Sequence, residues 1–165
     1  MAVIDRNGPI ANSWVHLADD AQPAKGQSVI VSFARLKNEH NSLFSASTAG
    51  GVEVVGDVVL EDLEPFLPRL GIIVVRMPNM RDGRIFSTGR LLREKYAYKG
   101  ELRAIGDFIP DQARFLLRCG FDSFEVGDAF PVDSLKQAVA TYSVWYQRAT
   151  DRGATIIDQR TSGVS

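Results

Sequence analysis

The stretch Gly71-Ile-Ile-Val-Val-Arg76 decides how the chain folds. Its unbroken run of β-branched residues is typical of a strand that is covered on both faces, as in parallel sheets. Short apolar strands of this kind recur along the chain, and a helical segment follows each of them at short spacing. The predicted strands are residues 28–31, 52–55, 71–76, 101–105 and 122–126. This alternation predicts an α/β fold of mainly parallel strands.

Right-handed crossovers leave two architectures for such a chain, a partial (βα) barrel-like arc or an open doubly wound sheet. Side-chain alternation favours the arc, because three strands each carry a charge on one face near the carboxyl end. These charges are Arg76, Arg103 and Glu125. The alternative is that Arg103 and Glu125 lie on solvated edge strands. The predicted helices cover about residues 33–44, 57–70, 84–96, 110–119 and 132–147.

The chain divides into three predicted parts. Residues 1–17 are expected to form a hairpin appendage, because Asn7-Gly8, a strong signal for a tight turn, stands between two short apolar segments. Residues 28–147 form the α/β domain, and residues 148–165, which lack apolar periodicity, form a C-terminal tail. About five βα units cannot close an eight-stranded barrel. A homodimer that completes the inner surface is therefore a further hypothesis.

The composition is that of an ordinary globular protein. Of the 165 residues, 45% are hydrophobic and 24% are charged, and the net charge is −1. These values exclude a disordered chain and leave no basic excess for binding nucleic acid or an acidic membrane. The apolar runs are far shorter than the ~20 residues of a membrane helix, and no signal peptide is visible. We therefore predict a cytoplasmic protein without a nucleic-acid or membrane partner.

Side chains that commonly hold metals or redox cofactors are few. Cys119 is the single cysteine, and His16 and His40 lack the spacing of metal ligands on a helix. We therefore predict no structural metal. No glycine-rich nucleotide loop and no Gly-x-Ser-x-Gly motif is present, so the cofactor, if one binds, is left unknown. Cys119 stands at a predicted helix end and is interpreted as a small buried residue, with a redox role as the alternative.

Positive charge is concentrated in residues 76–118, which contain ten basic and five acidic side chains. Within this segment, Asp82-Gly83-Arg84 begins a predicted helix, and the N-terminus of a helix attracts anions. An arginine there adds a bidentate contact. The candidate anion-binding residues are Arg76, Gly83, Arg84 and Ser87. The alternative is that Asp82 caps the helix and that the arginines are solvated or paired with acids.

Asp107 is a second candidate site residue. It lies at the carboxyl end of a predicted parallel strand, just before a helix, where a carboxylate is well placed for acid–base chemistry. Arg103, on the same strand, could orient a substrate beside it. The candidate catalytic residues are Asp107 and Arg103. The alternative for Asp107 is a structural cap of the following helix.

Three blocks of sequence resemble a bacterial family of uncharacterised proteins. They are Asp82-Gly-Arg-Ile-Phe-Ser-Thr-Gly-Arg-Leu-Leu-Arg-Glu94, Tyr98-Lys-Gly-Glu-Leu-Arg-Ala-Ile-Gly-Asp107 and Arg118-Cys-Gly-Phe-Asp122. The family is described as oxidoreductases of sulfite reduction and accompanies the haem-containing assimilatory sulfite reductase. The resemblance implies a place in sulfur assimilation. It implies the reductase haemoprotein as partner, and a small anion such as sulfite, sulfate or phosphate fits the predicted arginine site.

Three hypotheses on function follow. The first is an accessory or oxidoreductase component of sulfite reduction with an arginine-lined anion site. The second is a free-standing barrel-like enzyme on a small anionic or phosphorylated substrate, which Arg84 would hold while Asp107 acts as the base. The third is an association scaffold in which Trp145-Tyr146 anchors an interface, although these residues could instead pack the last helix onto the sheet.

Overall fold

In a computed structural model, the chain is described over residues 1–46, 49–141 and 149–150. In these residues, eight strands form one sheet with the order β2-β1-β8-β7-β6-β5-β4-β3. The strands are β1 (Ala2–Asp5), β2 (Gly8–Pro9), β3 (Trp14–His16), β4 (Ser28–Ser32), β5 (Gly50–Val55), β6 (Leu70–Met77), β7 (Glu101–Gly106) and β8 (Ser123–Val126). Strands β3 to β8 are parallel, and β1 runs antiparallel to β2 and β8.

All five predicted strands are confirmed as β4 to β8, and helices follow them as predicted. The helices are α1 (Phe33–Ala46), α2 (Leu60–Leu63) with a 3-10 turn (Glu64–Arg69), α3 (Arg84–Glu94), α4 (Pro110–Arg118) and α5 (Val132–Ala140). Helix α3 is shorter than predicted. The end of the predicted last helix, Trp145-Tyr146 and the predicted tail, apart from residues 149 and 150, lie outside the described residues.

The sheet curves into a half-barrel with its helices on the outer face. The large core packs side chains of the helices, such as Leu36, Leu92 and Leu116, against the outer face of the strands. The inner face carries a smaller cluster made by strand residues alone: Ile30, Ile72, Val74 and Ile105, with Trp14 packed against them. A doubly wound sheet would have helices on both faces. Because both clusters follow the alternation of the strands, the predicted arc is the architecture of this chain.

The predicted N-terminal hairpin is confirmed, with its turn one residue earlier than expected. Asp5 pairs with Gly8, so Arg6 and Asn7 form the turn. The carboxylate of Asp5 accepts the backbone N–H of Asn7 at 2.7 Å and that of Gly8 at 3.1 Å. The hairpin lies beside β8, because β1 extends the sheet there in the antiparallel direction. The N-terminal residues therefore continue the sheet itself.

Strand β3 has no counterpart among the predicted strands, and it forms the opposite edge of the sheet. Only residues 10–13 separate β2 from β3. Five Cα steps span at most about 18 Å, whereas the edges of a flat eight-stranded sheet would be roughly 34 Å apart. The sheet must therefore curl until its two edges approach. Residues 10–13, the crossing segment, therefore cross the open side of the arc. On the inner face, Ile72 and Val74 are fully buried within one chain, with Trp14 of β3 packed against their cluster.

The alternative that Arg103 and Glu125 lie on edge strands is wrong. Strand β7 lies between β6 and β8, and β8 lies between β7 and β1, so both residues face the interior of the arc. Strand β8 is an internal strand because β1 of the antiparallel hairpin pairs with the edge of β8 that would otherwise be open. Among the described helices, none is both long and apolar enough to cross a membrane.

Candidate functional site

A connected set of polar side chains runs across the inner face of the half-barrel. We call it the inner-face network, and it comprises His16, Glu53, Arg76, Glu101, Arg103, Ser123 and Glu125. The register of the parallel strands aligns its members. Arg103 pairs with Ser123 across β7 and β8, and Ile105 pairs with Glu125 one level nearer the carboxyl ends. Arg76 pairs with Ile105 at the same level. The predicted alternation thus brings Arg76, Arg103 and Glu125 onto one surface.

His16 joins the two sides of the arc. Its Nε2 lies 3.0 Å from Glu125 Oε2, and its Nδ1 lies 3.2 Å from Glu53 Oε2. Strands β3 and β8 are separated by four strands, which would place them roughly 24 Å apart in a flat sheet. The side-chain contact is therefore possible only because the sheet curls. His16 is the last residue of β3, and its spacing from His40, which bears only on metal binding, does not predict this contact.

The two carboxylates stabilise the protonated imidazole of His16. Hydrogen bonds to Glu125 and then to Glu53 raise the pKa of His16 from 6.5 to about 9, although burial opposes this shift. Both ring nitrogens therefore carry protons at neutral pH and act as donors. In return, the hydrogen bond from His16 lowers the pKa of Glu53 to about 2, with a further contribution from Arg76. The hydrogen bond from His16 also lowers the pKa of Glu125.

Arg76 stands at the accessible rim of the network. Its Nε donates to Glu53 Oε1 at 2.5 Å, and 42% of its side chain is exposed. Among the described residues, Glu53 is the one hydrogen-bond partner of this guanidinium. The two Nη groups of Arg76 are therefore open to a ligand. Since Arg76 is near the carboxyl end of β6, this ligand would lie where parallel α/β folds bind their ligands.

Arg103 lies at the buried end of the network and is only 1% exposed. Its Nε and Nη2 donate to Glu101 Oε1 at 3.0 and 2.8 Å, and its Nη1 lies 3.7 Å from Glu125. Its Nε also donates to the hydroxyl of Ser123 at 3.2 Å. Asn12, in the crossing segment, accepts a bond from Nη1 at 3.1 Å. Arg103 therefore connects the crossing segment to the inner face, and its contacts stabilise the fold.

The candidate residues Arg84 and Ser87 lie in the first turn of α3, and Gly83 is its N-cap. The guanidinium of Arg84 pairs with Asp57 at 2.7 Å and with Asp82 at 2.6 Å. Asp82 also accepts the backbone N–H of Arg84 at 3.2 Å. No hydrogen bond or ion pair within the described part of the chain joins these residues to the inner-face network. The structure thus brings Arg76 and Arg103 together and leaves Arg84 and Ser87 in a separate place.

Asp107 follows β7 and is exposed. The capping alternative for Asp107 is wrong, because Ile109 occupies the N-cap position of α4 and its N–H donates to Gln112 at 3.2 Å. Asp107 is not part of the inner-face network. Cys119 is partly buried at the C-cap of α4. Of the two candidate catalytic residues, the structure therefore places Arg103 in the network and Asp107 at the surface.

Two cavities open near these residues. A cavity of about 640 Å³ lies at the carboxyl ends of β3, β4 and β5, and His16 and Glu53 form part of its wall. A second cavity, of about 350 Å³, is lined by Arg84 and Ser87. In the described part of the chain, no three His, Cys, Asp or Glu side chains are grouped to hold a metal ion. Glu53 and Glu125 face opposite nitrogens of the His16 ring, so the three groups do not converge.

The comparison with known families places residues 51–157 in one family. This range matches the family model described as "Bacterial protein of unknown function (DUF934)", and it covers more than half of the chain. The chain belongs to this family. A search of curated proteins gives no match. Glu53, Arg76, Arg103 and Glu125 lie within the range that matches the DUF934 model, whereas His16 lies before it.

The stability of this DUF934 protein should depend on pH through His16. Because the pKa of His16 is raised in the folded protein, its contribution to the free energy of unfolding is complete below about pH 6.5 and is lost as the pH rises through about 9. One pKa unit corresponds to about 1.4 kcal/mol, but solvent screens the 34% exposed His16 side chain. We therefore expect the free energy of unfolding to fall by about 1–2 kcal/mol between pH 6.5 and 9. Urea denaturation at several pH values measures this slope.

The matched controls are two histidine variants. His16→Gln should abolish most of the slope between pH 6.5 and 9. His40→Gln should retain it, because His40 packs against the ring of Phe66 and has no carboxylate in ion-pair contact in the described residues. At the acidic end, the contribution of Glu53 is present above about pH 4.5 and is lost as the pH falls through about 2. An unchanged slope in His16→Gln would contradict the bridge between β3 and β8.

Proposed function

We propose that this DUF934 protein is a cytoplasmic accessory component of sulfite reduction that binds a small oxyanion at the rim of the inner-face network. The observation that carries this proposal is the position of Arg76. Its guanidinium is held through Nε by Glu53, and its Nη groups are open at the carboxyl end of β6. A guanidinium in this state can form a bidentate contact with an oxyanion such as sulfite.

His16 adds a second positive charge beside the same carboxylate. The imidazolium and the Arg76 guanidinium both contact Glu53, so the accessible rim made by these three side chains is cationic. The buried partners Glu125 and Arg103 hold His16 in place from behind. Because the donors are fixed before a ligand arrives, little ordering is required when an anion binds.

The assignment to sulfite reduction rests on the resemblance of three sequence blocks to the family that accompanies the sulfite reductase haemoprotein. The reduction of sulfite requires redox cofactors, which the haemoprotein supplies. Under this proposal the DUF934 protein binds the reductase, or its anionic substrate close to the reductase. Its own contribution is the arginine-lined anion site and not electron transfer.

The anion site is tested by calorimetric titration of the purified protein with sulfite. Arg76→Gln removes a charged donor, and we expect the affinity for sulfite to fall at least about tenfold. The variant should remain folded, because Glu53 keeps His16 as a partner. Arg81→Gln is the matched control, since Arg81 is exposed in the loop before α3 and should not affect binding. Equal affinities for the wild type and Arg76→Gln would overturn the site.

The biological role is tested in a bacterium from which the gene has been deleted. We expect poor growth on sulfate, normal growth on sulfide, and rescue on sulfate by the wild type but not by Arg76→Gln. Tagged wild-type protein should also recover the sulfite reductase haemoprotein. Normal growth on sulfate together with failure to recover the haemoprotein would refute the accessory role.

A second candidate function is a free-standing enzyme on a small anionic or phosphorylated substrate. The observation that favours it is the cavity of about 350 Å³ lined by Arg84 and Ser87. Asp107 would then be the proposed base. Titration with phosphate distinguishes the two candidates: loss of binding in Arg84→Gln and not in Arg76→Gln would support the enzyme. The ion pairs of Arg84 with Asp57 and Asp82 compete with such an anion.

A further inference from the structure

The cavity of about 640 Å³ has apolar walls and a mouth at the carboxyl ends of β3, β4 and β5. Leu17, Ile30, Val54 and Val58 form much of its wall, and Phe33 lies at the start of α1 beside it. This volume falls within the range of small-molecule sites, about 300–1,000 Å³. Arg76 does not line the cavity, although its neighbours His16 and Glu53 do, so the proposed oxyanion contact at Arg76 lies beside the cavity and outside its wall.

Four charged side chains line this cavity, and three of them have an opposite charge in contact. His16 and Glu53 pair with each other, and Asp62 pairs with Lys37 at 3.0 Å. Asp19 differs from them. Among residues 1–46, 49–141 and 149–150, its carboxylate has the hydroxyl of Ser32 as a hydrogen-bond partner and no cation in ion-pair contact. The wall of the cavity therefore carries one negative charge without a counter-charge.

Asp19 is held in place by the first turn of α1. The hydroxyl of Ser32 donates to Asp19 Oδ1 at 2.7 Å and accepts the backbone N–H of Arg35 at 3.2 Å. Ser32 contacts only Oδ1, and Oδ2 has no hydrogen-bond partner among the described residues. The carboxylate is thus fixed, charged and able to accept a hydrogen bond from a ligand.

We propose that this cavity binds a small organic monocation, a primary amine with an apolar body, whose ammonium group pairs with Asp19. The apolar body would pack against Leu17, Ile30 and Val58. An anion would face the uncompensated carboxylate of Asp19 and would be repelled. A neutral ligand of the same shape would not supply the positive charge that Asp19 lacks. This site and the Arg76 site therefore select ligands of opposite charge.

The test uses benzylamine as the probe, with benzyl alcohol and benzoate as ligands of similar shape. Binding to ¹⁵N-labelled full-length protein is followed by amide chemical shifts. We expect benzylamine to bind at least about tenfold more tightly than either analogue, because it alone brings a positive charge to the carboxylate of Asp19. The shifted amides should include Leu17, Val54 and Val58.

Asp19→Asn is the decisive variant, since asparagine keeps the acceptor for Ser32 and removes the charge. We expect it to weaken benzylamine binding at least about tenfold. Asp20→Asn is the matched control, because Asp20 is exposed next to it and does not line the cavity. Equal binding of benzoate, shifts away from the cavity, or unchanged affinity in Asp19→Asn would overturn the proposal.

Sulfite titrations separate this result from the oxyanion proposal. Asp19→Asn should bind sulfite as tightly as the wild type, and Arg76→Gln should bind benzylamine as tightly as the wild type. If Asp19→Asn loses benzylamine binding and keeps sulfite binding, the proposal of an oxyanion site at Arg76 is unaffected. Loss of both ligands in Asp19→Asn would show that the two sites are one, and the inference of a separate amine site would be wrong.

Discussion

Replacement of Arg103 by methionine is expected to lower the free energy of unfolding by about 3–5 kcal/mol. The side chain is 1% exposed and holds Glu101 through two hydrogen bonds, with Glu125 close by. Methionine fills a similar volume but leaves these carboxylates without their cation. The crossing segment would also lose its contact, because Asn12 accepts a bond from Arg103. Urea denaturation followed by circular dichroism measures the loss.

Two further variants separate charge from packing at this position. Arg103→Lys keeps the positive charge but lacks the planar fork that reaches several acceptors, so we expect an intermediate loss. Adding Glu101→Gln to Arg103→Met removes one of the stranded charges, and the double variant should be more stable than the sum of the two single losses predicts. A loss below about 1 kcal/mol in Arg103→Met would mean that the network contributes little to folding.

The half-barrel could be predicted because two features of its strand sequences indicate it. The β-branched run of β6 indicates a strand covered on both faces, and the alternation in β7 places Arg103 and Ile105 opposite Leu102 and Ala104. Both features are local, and both are confirmed. Local patterns also gave the hairpin, although its turn is shifted by one residue because Asp5 accepts the N–H groups of Asn7 and Gly8.

The bridge made by His16 could not be predicted from local patterns. Strand β3 has three residues, too few to show alternation, and its partner Glu125 is 109 positions away. One signal was present in the sequence. Once the arc is accepted, Glu53 and Glu125 both face its interior, and buried carboxylates require a cation or several donors. Their position predicts a positive group entering from elsewhere in the chain, without identifying it as His16.

The net charge of residues 76–118 does not show which of their basic side chains is open to an anion. Some of the acids that neutralise the basic segment come from outside it, since Arg76 pairs with Glu53, and Arg84 pairs with Asp57 as well as with the local Asp82. A sum over residues 76–118 does not include these distant partners. What distinguishes Arg76 is exposure and hydrogen bonding, which only the folded chain determines.

The blocks that resemble the family have a structural role in this fold. Arg93, in the first block, donates to the carbonyl groups of Tyr98 and Gly100 in the second, at 2.7 and 2.9 Å. It also donates to the carbonyl of Gly120 and to the carboxylate of Asp122 in the third. One side chain therefore holds all three blocks together. The resemblance is thus informative about the fold.

Gly106→Ala is expected to destabilise the protein by about 3 kcal/mol or more, the combined effect of backbone strain and overpacking. Gly106 ends β7 with φ of +130°, a conformation that residues with a Cβ rarely adopt. An added Cβ would also collide with the backbone carbonyl oxygen of Met77 on the neighbouring strand. The strained φ and the collision with Met77 both involve the backbone, so a change of side-chain rotamer cannot relieve them. Strands β6 and β7 would have to separate at their carboxyl ends.

Gly127→Ala provides the matched control, because a Cβ at Gly127 would meet no atom within 4 Å. We expect its free energy of unfolding to stay within about 0.5 kcal/mol of the wild type. Urea denaturation of both variants makes the comparison, and sulfite titration of Gly106→Ala shows whether the separation reaches Arg76, which lies next to Met77 on β6. If Gly106→Ala were as stable as Gly127→Ala, then β7 would not end in the left-handed conformation, and the close pairing of β6 with β7 at the rim of the site would be wrong.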